Sequence, residues 1–148
     1  MTTKILALLV MLLLSASLVG AAVCEDETDA TGGYTVTPAK DAGGDVGIRW
    51  IYDTIKQGET NWHSKIVSTN INTLNVDLNW GDPTDSLRLT VYAPDGYPVF
   101  GPYFDDDDGV ADDGRINLDI YNPDGIAKGT WSYEVYGHSV VGTEDYYI

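Results

Sequence analysis

Residues 104 to 115 read FDDDDGVADDGR, six aspartates in twelve positions, with two glycines and a closing arginine. Such a density of carboxylate suits calcium, a hard cation that takes six to eight oxygen ligands. An EF-hand register fails here. With Gly109 at the sixth position, Asp106 and Asp108 take the third and fifth, but Phe104 falls on the first and Arg115 on the twelfth, where carboxylates are required. A tight bend through DDDDG still allows Asp105, Asp107 and Asp112 to meet around one ion, and these three are the candidate metal ligands. The competing reading is a solvated acidic loop, since exposed like charges repel weakly in salt water. Asp41 and Asp45, beside the glycines of KDAGGDVG, form a second candidate cation locus.

Other chemistry is less well marked. His63 in NWHSK and His138 in YGHS are the chain's two histidines, and no G-x-S-x-G stretch supplies a serine on a strained turn for either. Both read as surface or packing residues. A hydrolytic carboxylate pair is compatible with the sequence, but 23 acidic residues make any two of them uninformative. Tyr92, Tyr121 and Tyr136 fall on the wet faces of strands, where stacking and hydrogen bonding would form a platform for a glycan or peptide; ordinary β-propensity explains single exposed tyrosines equally well. Trp62, Trp80 and Trp131 are expected in the core. Cys24 is the chain's single cysteine, which excludes an internal disulfide. Its place directly after an apolar segment makes it a candidate for lipidation, against the simpler reading of a free thiol.

The elements that would position these groups can be read from periodicity. Lys4, the unbroken apolar run Ile5 to Leu14 and the small residues of SASLVGAAVC have the three parts of a secretory signal over 1–23, with an uncleaved anchor as the alternative. Residues 24–47 lack apolar periodicity and read as an acidic flexible linker. From 48 to 148 the pattern has a period of two. Leu74, Val76, Leu78 and Trp80 share one face; Leu87, Leu89 and Val91 a second; Ile116, Leu118 and Ile120 a third; Trp131, Tyr133 and Val135 a fourth. Half-buried strands alternate in this way. YAPDG (92–96) and YNPDG (121–125) close strands with turn-forming Pro, Asp and Gly. About eight strands of this kind predict an all-β chain folded as an antiparallel β-sandwich, jelly-roll-like.

Eight Lys and Arg against 23 Asp and Glu give a net charge of −15. Phosphate backbones are repelled by such a surface, so nucleic acid is excluded as a partner. An anionic membrane surface is excluded on the same ground, leaving membrane association to the N-terminal segment alone.

The stretches QGETNWHSKIV, TLNVDLNWGDPTDSLRLTVYAPDG, GRINLDI, GTWSYEVYG and GTEDYYI, in that order, resemble the bacterial and archaeal pre-peptidase C-terminal domain. The resemblance covers roughly residues 48 to 148. It implies a secreted β-sandwich that accompanies peptidases without being catalytic, with partners among extracellular proteins or polysaccharides and, in some members, calcium near the start of the domain. The resulting expectation is a secreted or cell-surface, non-enzymatic module for extracellular binding or surface association, with calcium as a structural ion. A small secreted hydrolase with an unrecognised carboxylate site, and a structural cell-envelope protein, are the alternatives.

Overall fold

A computed structural model of the chain describes residues 32–39, 50–96 and 98–148. The expectations for the signal segment, for Cys24, and for Asp41 and Asp45 lie outside the described residues. Among the described residues the fold is all-β, with nine antiparallel strands in two sheets, as the alternation predicts.

The strands are β1 (Thr35–Pro38), β2 (Tyr52–Ile55), β3 (Thr60–Val67), β4 (Thr73–Asn79), β5 (Ser86–Tyr92), β6 (Val99–Tyr103), β7 (Arg115–Tyr121), β8 (Gly129–Ser139) and β9 (Glu144–Tyr147). A five-stranded sheet runs β1-β7-β4-β9-β2, and a four-stranded sheet runs β3-β8-β5-β6. Every pairing between consecutive neighbours is antiparallel.

Register follows from the apolar face. In β4 and β7, Leu74 faces Ile120, Val76 faces Leu118 and Leu78 faces Ile116, and all six are buried. In β5 and β8, Leu89 faces Val135 and Val91 faces Tyr133. A slip of one residue would turn each of these side chains into water, at a cost of about 1.5–3 kcal/mol for each large apolar group. The inward faces of both sheets merge into one core, where Phe100 and Trp131 stack at 6.0 Å and Tyr34 meets both rings edge-on.

Two features depart from the sequence reading. Thr35–Pro38, inside the stretch read as a linker, pairs with β7 as an edge strand; four residues are too few to display a period. Trp62, expected in the core with Trp80 and Trp131, is instead 58% exposed. Strand parity is the reason. Trp62 pairs with Glu134 on the outer face, while Val67, an odd number of residues away, is the buried end of β3.

The two Pro-Asp-Gly turns are built differently. In the first, Asp95 itself takes a left-handed conformation, with φ 68°. In the second, Asn122 Oδ1 accepts the Asp124 N–H at 3.0 Å and the Asn122 carbonyl accepts the Gly125 N–H at 3.0 Å, so the turn's side-chain acceptor is Asn122.

Candidate metal centre

The stretch WGDPTDS leaves β4 and enters β5, crossing from one sheet to the other. Trp80 anchors it: its ring is buried, and its indole N–H donates to the carbonyls of Asp82 and Asp85 at 3.0 and 3.1 Å. Thr84 donates from both its backbone N–H and its hydroxyl to Asp82 Oδ1, at 2.8 and 2.7 Å. The Asp85 N–H returns to the Asp82 carbonyl at 3.2 Å. These bonds close a turn whose two carboxylates lie on the same side.

From the other end of the chain, the β8–β9 connection approaches this turn. Asp85 Oδ1 accepts the Val141 N–H at 3.1 Å, which fixes that connection against the turn and brings Glu144, the first residue of β9, alongside. One carboxylate oxygen from each of Asp82, Asp85 and Glu144 then lies within 4.8 Å of the others. Asp85 is buried, Glu144 half-buried, and Asp82 the outermost of the three.

Crowding of like charges shows in the protonation of the site. Burial, followed by a hydrogen bond to Asp85 and the charges of Asp85, Asp82 and Asp145, pushes the Glu144 carboxyl up to about 7. Asp82 is held below the ordinary carboxylate range by its Thr84 hydrogen bonds. Protonation of Glu144 relieves this repulsion, and a divalent ion bound among these oxygens would compete with that proton. An all-oxygen donor set fits Ca²⁺, Mg²⁺ or Mn²⁺ and gives no preference to the softer metals.

The acidic loop of 104–115 is organised by its own backbone. Asp105 is buried and accepts the N–H groups of Gly114 and Arg115, each at 3.3 Å. Asp107 Oδ2 accepts the Phe104 N–H at 2.7 Å, capping the short 3-10 turn Asp105–Asp108. Asp108 accepts from Val110 and Asn117, and Asp112 is exposed with φ 56°. Asp105, Asp107 and Asp112 thus occupy three separate local settings, and among the described residues the carboxylates that converge as a trio are those of Asp82, Asp85 and Glu144.

The three tyrosines divide between the sheets. Tyr92 and Tyr136 lie on the outer face of the four-stranded sheet: the Tyr92 hydroxyl donates to Glu134 Oε2 at 2.9 Å, its ring lies 5.4 Å from that of Trp62, and the Arg88 guanidinium sits 4.4 Å over Tyr136. Arg88 also bonds Glu134 at 3.1 Å. Tyr121 is exposed on β7, in the other sheet. His138 is exposed and meets Phe104 edge-on. The His63 side chain is 6% exposed, and its Nε2 lies 2.6 Å from the Tyr146 hydroxyl. Burial lowers its pKa, against the opposing pull of Asp53.

A shallow cleft of about 410 Å³ opens beside β9, lined by Tyr52, Asp53, Asn79, Asp145 and Tyr147 among others. Asp145 adjoins Glu144 in the chain, so cleft and carboxylate trio are neighbours along β9.

The trio corrects two expectations drawn from the sequence. A purely non-catalytic module, and with it the assignment as a non-enzyme, is overturned by a carboxylate cluster able to chelate a metal ion. The residues able to hold a divalent ion together are Asp82, Asp85 and Glu144, at a different place from the Asp105, Asp107 and Asp112 expected from the sequence. Sequence reasoning passed over them because nothing in the spacing of Glu144 points to Asp82 and Asp85. The only local signal was the D-P-T-D turn after Trp80.

No family model matches the chain, and no solved structure matches it. An uncharacterized protein of Archaeoglobus fulgidus is 46% identical to it over 52 residues, 35% of this chain and 72% of that protein. The chain belongs to the same family as that archaeal protein. Among the described residues, no helix is long and apolar enough to cross a membrane.

Proposed function

We propose that this protein is a small divalent-cation-dependent hydrolase, with its ion held by Asp82, Asp85 and Glu144. The observation that carries this reading is the convergence of three carboxylates from two separate connections, with their oxygens within 4.8 Å. Calcium is the ion we favour, because the donors are all oxygen and the exposure of Asp82 leaves room for water to complete a coordination sphere of six to eight. A bound divalent ion supplies Lewis acidity toward a substrate carbonyl or glycosidic oxygen. The protein's part is to fix the ion: Thr84 and Trp80 hold the Asp82–Asp85 turn rigid, and the Asp85 bond to Val141 holds Glu144 in reach.

Net charge disfavours polyanionic substrates, leaving peptides, esters and neutral polysaccharides. The N-terminal signal-like segment supports secretion or a cell-surface location, and with it an extracellular protein or polysaccharide as the target. The order of motifs from QGETNWHSKIV to GTEDYYI supports kinship with the pre-peptidase C-terminal domain.

The test uses metal-stripped protein. Calcium at a hundredfold excess over its Kd should stabilise the fold by about 2.7 kcal/mol, read as a rise in Tm, and should switch on hydrolysis in a panel of peptide, ester and glycoside substrates. Asp85→Asn and Glu144→Gln should remove both responses. Equal Tm values in calcium and chelator, or equal responses in the variants, would overturn the metal site. A calcium response without turnover of any substrate class would overturn the hydrolase reading.

A further inference from the structure

We propose that the cleft beside β9 is a binding site for a quaternary ammonium group. Tyr52 and Thr54 on β2 pair with Tyr147 and Asp145 on β9, and Asn79 on β4 also pairs with Tyr147. Ile55 and Tyr146 are the buried residues of β2 and β9, so strand alternation places Tyr52, Thr54, Asp145 and Tyr147 together on the outer face. The Tyr52 and Tyr147 rings meet at 58° with centroids 5.8 Å apart, two walls of a corner. Trp50 braces the second wall edge-on at 4.5 Å. Tyr52 nevertheless remains 76% exposed.

Charge selects the occupant. Asp145 lies on the same face as the two rings, and no Lys, Arg or His lines the cleft; Asp53, which shares the parity of Ile55, faces the other way and is engaged by Asn61 and His63. The neighbouring Arg115 is engaged by Asp77 through two bonds, at 2.7 and 2.8 Å. An anion would meet the Asp145 carboxylate and the field of a chain with net charge −15. A cation within about 6 Å of both ring centroids gains from both quadrupoles. Among cations, a primary ammonium is strongly hydrated and needs hydrogen-bond acceptors around it. Two aromatic rings with the Asp145 carboxylate on the same face suit a methylated nitrogen, which is larger and less tightly hydrated. This site stands without the metal reading, since neither ring nor Asp145 belongs to the carboxylate trio.

The probe is tetramethylammonium, titrated into the protein in the presence of chelator and followed by the ring resonances of Tyr52 and Tyr147. Saturable shifts of both rings are expected. Tyr52→Ala, at an exposed edge position, should weaken binding at least fivefold, and Asp145→Asn should weaken it in the same direction. Neopentyl alcohol, similar in shape and uncharged, should bind at least tenfold more weakly, and n-butylammonium should also bind more weakly. Absence of saturable shifts, equal binding of the neutral analogue, tighter binding of the primary ammonium, or unchanged affinity in both variants would overturn the proposal. Chelator in every arm keeps its failure distinct from that of the metal centre.

Discussion

The Asp105 carboxylate accepts the backbone N–H of Gly114 at 3.3 Å, and this bond links the acidic loop to the Asp82–Asp85 turn. The Gly114 carbonyl in turn accepts the N–H groups of Trp80 and Gly81, at 2.8 and 2.9 Å, immediately before Asp82. A buried carboxylate in a conspicuous acidic loop therefore acts as a positioning residue for carboxylates elsewhere in the chain.

Replacing Asp105 by Ala should lower stability by about 1–3 kcal/mol, because it leaves the Gly114 and Arg115 N–H groups without their acceptor. Chemical denaturation measures the loss. Calcium affinity should fall as well. Asp112→Asn, at an exposed position whose left-handed φ of 56° asparagine also accepts, should change neither.

Gly114 is constrained more tightly than a turn glycine usually is. Its φ is 73°, and an added Cβ would lie 2.8 Å from both Asp82 N and Gly81 C. Gly114→Ala should therefore destabilise the protein by more than about 1 kcal/mol, since its native conformation is incompatible with a side chain. The calcium-induced rise in Tm should shrink with it, which separates displacement of the turn from simple loss of stability.

Two groups give opposite pH slopes in the metal-free protein. Glu144 is raised in the fold from its ordinary 4.5 to about 7. Its contribution is fully present below about pH 4.5 and is lost as pH rises toward 7, because the folded state binds the extra proton in that window. His63 is lowered from its ordinary 6.5, so its contribution is present above 6.5 and is lost as pH falls below it. Glu144→Gln should abolish the first slope and leave stability rising with pH through the histidine range. Denaturation midpoints at half-unit pH steps test this, and an unchanged profile in the variant would contradict it.

Tryptophan substitutions should separate core from surface. Trp131→Ala should cost about 3–5 kcal/mol, as a fully buried ring stacked on Phe100 leaves a large cavity. Trp62→Ala should stay within about 0.5 kcal/mol of the parent, as exposed positions usually do. Thermal unfolding of the two variants makes the comparison.

Much of this molecule follows from local sequence. The period of two in β4, β5, β7 and β8 is a property of adjacent residues, and it determined the fold class, the core face of each strand and the two turns at Pro-Asp-Gly. The same reading failed for Trp62, because the inward positions beside it on β3 are Asn61 and His63, so no apolar alternation sets the parity of the strand. Asp105, Asp107 and Asp112 were drawn together by composition alone. In the fold Asp105 accepts the N–H groups of Gly114 and Arg115, and Asp107 that of Phe104.

The candidate centre was not legible at that level. Asp82 and Asp85 stand in the turn between β4 and β5, and Glu144 begins β9. Their meeting depends on β9 joining the sheet beside β4 while the β8–β9 connection hydrogen-bonds to Asp85. Sequence by itself determined that this chain is an acidic, alternating β-protein, since hydrophobic periodicity and charge are local quantities. Only the tertiary structure decided which of its 23 acidic residues converge, because convergence is set by strand order and by the path of connections between sheets.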